Sequence, residues 1–359
     1  MSTELYTLFS VLPCMVCLFW SLILVVDWAD SDRATHILLW FSLTCTALYA
    51  CHAAHFLCAL TSYPKWIDCL WSTCNLGVYP LFYIYIRYLT DVHGPSRRIF
   101  WVLIPSLVAV ILSSAVAICG LNFDIVRMFN TPVFAAEVIN TAVYGRRRLI
   151  RYRERISSFY ADTDDKNLEA LDRILALLVI TSIASMSVNA LGRDNFSDAA
   201  ITIPSIAFSA LLFGIFMWGH RHHFSAENFK LEIENTDKNI ETGTVMSDDF
   251  HDILYQRICK LMEDEKLFLN KDLKITELAT RIGTNRTYVS SCINHHSGVS
   301  FSDFIHRYRI EYAMTILAKD KETSMAEVAE LSGYKSGNSF YKAFVKINGI
   351  SPTKWMESH

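Results

Sequence analysis

Charged side chains are scarce in this chain of 359 residues. They make up 19% of the residues, whereas roughly 25% is usual for a soluble domain. The shortage falls in one region, because residues 1–219 contain 31 charged side chains and the shorter remainder contains 38. This distribution disfavours a soluble domain before residue 220 and is typical of one after it. The length allows two or three domains.

An excess of positive charge is also lacking, since the net charge is −3. The overall charge therefore does not indicate nucleic-acid binding. Residues 250–359 contain 15 basic and 13 acidic side chains, a balance that still permits it.

Zinc-type spacing is missing as well. Cys14 and Cys17 lie close together in an apolar run, but no second Cys or His pair stands at zinc-type spacing from them. We expect the cysteines to act as small apolar residues, and we expect no metal or cofactor.

Motifs of common enzymes are lacking too. The chain has no His-Glu-x-x-His, no Gly-x-Ser-x-Gly and no pair of carboxylates within one apolar segment. These patterns serve metal-assisted hydrolysis, acyl transfer and acid–base catalysis. The pair of symmetric interrupted helices that is typical of secondary transporters is absent from the sequence pattern as well. We therefore expect a protein that is not an enzyme.

What the first region contains is a series of apolar segments, most of them long enough to cross a hydrocarbon core of about 30 Å. Seven spans are predicted. Six spans are the main alternative, because the fifth segment is short and contains Glu137 and Asn140. The predicted spans are residues 5–26, 35–60, 67–88, 99–121, 132–144, 171–191 and 199–218.

Basic residues in the connecting loops predict the orientation. With seven spans and the N-terminus outside, the inside loops hold twelve basic residues and the outside loops hold three. The positive-inside rule favours this topology and places everything after residue 218 in the cytoplasm. Eight of the twelve lie between Arg146 and Arg173. We interpret the run from Arg146 to Arg155 as a helix end facing anionic lipid rather than as a DNA contact.

Polar side chains inside apolar segments are costly, so they mark candidate functional sites. The candidates for signal sensing are His52, His55, Asn75, Glu137 and Asn140. His52 and His55 share a helix face, and with Glu137 they would suit a proton-sensitive, ligand-binding or metal site. Interhelical hydrogen bonding is the alternative. Seven spans are more than an anchor requires, which favours sensing.

Two helix–turn–helix patterns stand about fifty residues apart in the last third of the chain. The first begins with a helix that ends at Gly283, where a positive φ is favourable. Asn285 then caps a second, recognition helix. The side chains predicted to face outward from it are Arg286, Thr287, Ser290, Ser291 and Asn294. Their types suit contacts with DNA phosphates and base edges.

The second pattern covers residues 325–344, with a turn one residue longer. Ser336 caps its recognition helix, and the outward side chains predicted to contact DNA are Lys335, Asn338, Ser339 and Lys342. Between the two patterns, Ser300 and Asp303 form a capping box that opens a helix of residues 301–317. If this continuous helix holds the two recognition helices about 34 Å apart, both can enter successive major-groove segments on one face of DNA.

The residues of the second pattern and those after it carry a resemblance. They are Ala329, Gly333, Tyr334, Ser336, Phe340, Phe344, Gly349, Pro352 and Trp355. Their order resembles the signature of the AraC/XylS family of bacterial transcription regulators over about residues 252–356. The resemblance implies seven helices and base contacts from the positions of Thr287, Ser290, Ser291, Asn338, Ser339 and Lys342. Val345 departs from it, because a basic residue is common there.

The resulting hypothesis is an all-α protein. It predicts a seven-helix transmembrane bundle at 1–219, a helical extension and acidic linker at 220–249, and a double helix–turn–helix DNA-binding domain at 250–359. The chain would be a regulator in the bacterial inner membrane that senses an unidentified signal. The expected partners are double-stranded promoter DNA, membrane lipid, RNA polymerase and a second copy of the chain. A membrane enzyme or transporter with an appended regulatory domain is the alternative.

Overall fold

A computed structural model describes residues 3–57, 65–91, 96–119, 123–163, 168–191, 196–221, 248–320 and 323–358. The regular elements in these ranges are all helices. The pairing of β type found there is an isolated bridge between Tyr160 and Lys274. The prediction of an all-α fold is confirmed for these ranges.

The chain divides into two compact units. The first contains the described residues up to 150 and from 168 to 221. Its helices are α1 (Thr3–Val26), α2 (Arg33–Leu57), α3 (Lys65–Thr90), α4 (Ile104–Ile118), α5 (Phe123–Asn140), the start of α6 (Arg146–Phe159), α7 (Glu169–Leu191) and α8 (Asp198–Arg221). A π turn, Thr141–Gly145, joins α5 to α6.

Aromatic side chains form part of the core of this first unit. The ring centroid of Phe41 lies 5.5 Å from that of Phe82 and 5.8 Å from that of Phe216, which joins α2, α3 and α8. The outside of the unit is apolar as well. On α1, Leu8, Met15 and Leu22 are 64%, 62% and 61% exposed. Apolar side chains facing outward in this density are typical of a surface that is covered by lipid or by a partner.

Five helical stretches in the described residues are long and apolar enough to cross a membrane. They are Leu8–Val26, Arg33–Ala54, Arg97–Val116, Glu169–Ser187 and Ile203–His220. The helices of the third and fifth predicted spans, α3 and α5, are not among them. Helix α3 packs against α2, α4 and α5, and an enclosed helix needs no continuous apolar surface of its own. The number seven therefore stays a prediction.

The second unit contains the described residues 151–163 and 248–358. Seven α-helices lie in residues 248–358, the number that the resemblance implied. They are α9 (Asp248–Asp264), α10 (Ile275–Ile282), α11 (Arg286–Ser297), α12 (Phe301–Lys319), α13 (Met325–Leu331), α14 (Gly337–Asn348) and α15 (Pro352–Ser358). The predicted acidic linker lies almost entirely outside the described residues, in 222–247.

Candidate nucleic-acid interface

The first helix–turn–helix unit consists of α10 and α11, and local chemistry fixes its turn. Gly283 ends α10 with φ at 76°, a left-handed conformation that side chains disfavour. The Asn285 side chain then accepts a hydrogen bond of 2.9 Å from the backbone N–H of Tyr288. Leu278 and Val289 are fully buried between the two helices. The turn and the cap predicted from the sequence are confirmed.

The outward face of α11 carries the predicted reading residues. Thr287, Ser291 and Asn294 are exposed, and Arg286 and Ser290 are half-buried. All five line one open concavity, which also includes Ser158, Ile275 and His295. The structure therefore brings together on one surface the residues that the sequence pattern selected. Ser158 comes from the end of α6 and was not predicted.

The second helix–turn–helix unit consists of α13 and α14. Gly333 has φ at 81° and lies close to the turn before α10. A Cβ atom at Gly333 would be 2.8 Å from both Cα and O of Leu269. The Ser336 hydroxyl accepts a hydrogen bond of 3.1 Å from the Ser339 N–H and so caps α14. Phe340 and Phe344 are buried in the hydrophobic core beside the turn between α13 and α14. Glycine is therefore required at 333 by both its backbone conformation and its neighbours.

Three of the four residues predicted to contact DNA from the second helix–turn–helix unit are exposed. They are Lys335, Asn338 and Lys342. The Lys335 ammonium lies 2.5 Å from the Asp272 carboxylate. The prediction that Ser339 faces outward is wrong. Its side chain is 5% exposed and its hydroxyl lies 3.0 Å from that of Ser336, because the cap turns it toward the helix start.

Helix α12 connects the two helix–turn–helix units. Ser300 caps it by accepting from the Asp303 N–H at 3.2 Å, and its bounds agree with the predicted 301–317 to within two residues. It packs against α11, α13 and α14. An ion pair of 2.6 Å between Lys346 and Asp303 ties α14 to the first turn of α12. One continuous helix thus touches both recognition helices.

Sequence reasoning missed Arg309, which lies at the middle of α12 and is fully buried. Its Nε donates to the carbonyl of Phe268 at 2.7 Å and its Nη2 donates to that of Asn270 at 2.8 Å. The guanidinium carbon lies 5.3 Å from the centre of the Tyr334 ring. Burial lowers the pKa of Arg309 from its usual value, but a guanidinium stays charged at neutral pH. Arg309 therefore joins the turn before α10 to the turn between α13 and α14.

The candidate sensing residues of the first unit lie at different places. His52 and Asn75 line one cavity with aromatic side chains, among them Tyr49 and Trp71. In that cavity, the His52 imidazole lies 3.4 Å from the Ser205 hydroxyl, and the Asn75 amide donates to Ser185 at 3.2 Å. Glu137 is not part of its lining. The side chain of His55 lies outside the described residues, and Asn140 is half-buried at the end of α5.

Glu137 has its own partner, since its carboxylate accepts a short hydrogen bond from the Ser106 hydroxyl of α4. Both side chains are buried. This contact is the interhelical hydrogen bond that was the alternative to a His52–His55–Glu137 cluster. The described contacts therefore favour the alternative for Glu137, whereas His52 and Asn75 line a shared space.

Comparison with known proteins agrees with the geometry of the second unit. A family model described as a helix-turn-helix domain matches residues 278–358, a range that includes α11 to α15. The C-terminal part of this chain is an AraC-type helix-turn-helix domain. The resemblance read from Ala329 to Trp355 is thereby confirmed for the AraC-type domain. No solved structure matches the chain.

Several relatives are similar to the AraC-type domain. The uncharacterized HTH-type transcriptional regulator YtdP of Bacillus subtilis (strain 168) is 35% identical over 88 residues, which are 24% of this chain and 11% of that protein. The probable transcriptional regulator LumQ of Photobacterium leiognathi is 25% identical over 87 residues, 24% of this chain and 35% of LumQ. The uncharacterized HTH-type transcriptional regulator SAS0078 of Staphylococcus aureus (strain MSSA476) is 27% identical over 99 residues, 28% of this chain and 13% of that protein. The chain thus matches only a minor part of each relative's length.

Proposed function

We propose that this chain is a transcription regulator embedded in the bacterial inner membrane. Its AraC-type domain binds promoter DNA by sequence on the cytoplasmic side, and its first unit senses a signal. The observation that carries the proposal is the pair of recognition helices. Each presents exposed polar side chains, among them Asn294 on α11 and Asn338 on α14, with its other face packed in a core. Asparagine can make a bidentate contact with adenine.

The connecting helix α12 supports simultaneous contact of both helix–turn–helix units with the DNA. Helix α12 has 19 residues, which corresponds to roughly 28 Å at 1.5 Å per residue. This length is close to the ~34 Å between successive major-groove segments on one face of DNA. Because α12 packs against both recognition helices, they would enter the groove as one rigid reader.

The first unit supports insertion in a membrane. Its five long apolar stretches carry exposed apolar residues such as Ile111 on α4 and Ile183 on α7, which are 67% and 65% exposed. In lipid such surface is favourable, and in water it is not. The excess of basic residues in the predicted inside loops supports a cytoplasmic position of the AraC-type domain, on the side of the chromosome. RNA polymerase and a second copy of the chain are the further partners of this model.

The cavity lined by His52 and Asn75 is the candidate signal site. It combines a mostly apolar and aromatic wall with a few polar groups, which is the usual character of a small-molecule site. A small, largely apolar molecule with one or two hydrogen-bonding groups would fit this chemistry. Its binding would alter the packing of α2, α3, α7 and α8, whose residues form the wall.

The experiment is a genome-wide DNA-occupancy map of the full chain, compared with the Asn294→Ala/Asn338→Ala and His52→Ala variants. We expect discrete sites for the wild type and their loss in the double variant, because its base contacts are gone. We expect the His52→Ala map to keep the sites but lose their dependence on growth conditions. A wild-type map without discrete sites would contradict sequence-specific binding, and an unchanged response in His52→Ala would remove the sensing role of this cavity.

A further inference from the structure

The end of α6 is part of the same unit as the AraC-type domain. Phe159, Tyr160 and Ala161 are buried there. The Ala161 N–H donates to the carbonyl of Leu273 at 3.1 Å, just before α10. The Ser302 hydroxyl, in the first turn of α12, donates to the Ala161 carbonyl at 2.9 Å. These two hydrogen bonds fix the segment against the beginnings of α10 and α12.

Side-chain contacts extend this attachment to the first recognition helix. The guanidinium carbon of Arg286 lies 5.7 Å from the centre of the Phe159 ring, and the Lys274 ammonium lies 5.7 Å from the centre of the Tyr160 ring. Both distances suit cation–π attraction. Ser158 lines the concavity that holds the predicted reading residues of α11. The end of α6 is therefore one wall of the candidate DNA surface.

Charged residues of α6 lie on the same helix face as Ser158. Residues three, four and seven positions before Ser158 share its helix face, and they are Arg155, Glu154 and Arg151. All three are exposed. Among the residues that the structure describes, neither Arg151 nor Arg155 forms an ion pair. Two arginines, opposed by one carboxylate, thus extend from the rim of the concavity.

We propose that Arg151 and Arg155 bind the DNA phosphate backbone beside the first recognition helix, which makes the end of α6 a third DNA-contacting element. This inference rests on the proposed DNA binding. A helix that enters the major groove has phosphate strands on both sides, since the groove is only about 12 Å wide. An arginine wall next to α11 would face one of these strands, and guanidinium groups bind phosphate in a bidentate manner.

The basic run is therefore divided between two roles. Arg146, Arg147 and Arg148 belong to the first unit, where Arg147 lies over the Tyr144 ring at 5.8 Å and Arg148 is 3.9 Å from Asp91. These three fit the lipid-facing role predicted from the sequence. From Arg151 onward the helix packs with the DNA-reading helices, which favours phosphate of DNA over phosphate of lipid.

The test measures binding of the full chain in lipid nanodiscs to a fluorescent mixed-sequence DNA duplex across a range of salt concentrations. Each phosphate contact contributes about 0.9 to the slope of log K against log salt. We expect Arg151→Gln/Arg155→Gln to lower the slope by roughly 2 and the lysine pair Arg151→Lys/Arg155→Lys to retain most of it. Arg147→Gln, the matched control, should leave the slope unchanged. Glu154→Gln should strengthen binding, because it removes a repulsive carboxylate.

Three results would overturn the inference. An unchanged slope in the double glutamine variant would show that these arginines touch no DNA phosphate and serve the membrane surface. An equal loss in Arg147→Gln would assign the effect to overall charge. Tighter binding of the double variant would make the end of α6 a barrier to DNA. If the wild type bound no duplex at all, the proposed function would fail together with this inference.

Discussion

Asn338 and Ser339 are neighbours at the start of α14, yet they have opposite environments. Asn338 is exposed, whereas Ser339 is buried at the cap of the helix. Their residue types gave no basis for separating them, because serine suits both a helix start and a phosphate contact. Which of the two faces outward depends on the first turn of α14, where the Ser339 N–H donates to Ser336.

Asn338→Ala should lower the discrimination between a cognate site and one with a changed base by ~1–3 kcal/mol, if Asn338 makes a bidentate contact with that base. Ser339→Ala is the matched control and should leave discrimination unchanged. The measurement is a competition binding assay with operators that carry single base changes. Relaxed discrimination in Ser339→Ala would contradict the assignment, and equal weakening of Asn338→Ala on all sequences would make Asn338 a phosphate contact.

Arg309→Met should destabilise the second unit by about 3 kcal/mol, because it leaves the buried carbonyls of Phe268 and Asn270 without their charged donor. The measurement is hydrogen exchange of the α12 amides in the full chain, where this loss corresponds to a roughly 100-fold lower protection. Arg309→Lys keeps the charge but cannot donate from a planar fork, so an intermediate loss is expected. Unchanged protection in Arg309→Met would show that the two hydrogen bonds contribute no net stability.

At the scale of elements, the parts that the sequence predicted well depend on neighbouring residues. Asn285, Ser300 and Ser336 each cap the helix that follows them, and the glycine at 283 has the expected positive φ. Such signals act within about one helical turn. This is why the end of α10, the starts of α11, α12 and α14, and the outward face of α11 were accessible from the sequence alone.

Contacts between distant residues explain what the sequence did not predict. The carbonyl partners of Arg309 are 41 and 39 positions away, and Ser302 lies 141 positions from Ala161. A charged residue is normally exposed, so the residue type offered no reason to place Arg309 in the core. The segment from Ser158 to Ala161 lies in a predicted loop between spans, and no local pattern there indicates an attachment to α10.

At the scale of the molecule, the segment after Ile150 belongs to the same compact unit as the AraC-type domain, although it lies between helices of the first unit in the sequence. The buried side chains of Phe159 and Tyr160 supply apolar surface to a domain that begins almost ninety residues later, at Asp248. A fragment that begins near residue 247 therefore lacks part of its own packing.

This organisation makes a prediction about fragments. A fragment of residues 247–359 should be less stable than the same domain in the full chain. A peptide of residues 151–163 should bind the fragment and raise its Tm progressively with peptide concentration, because the stabilisation grows with the logarithm of one plus the ratio of peptide concentration to Kd. The peptide with Ala161→Pro, which lacks the N–H that donates to Leu273, and the peptide with Phe159→Ala should both bind more weakly. Thermal unfolding can be followed by the fluorescence of Trp355, the one tryptophan of the fragment. A folded fragment whose Tm is the same with and without the wild-type peptide would show that the segment contributes no binding energy to the AraC-type domain.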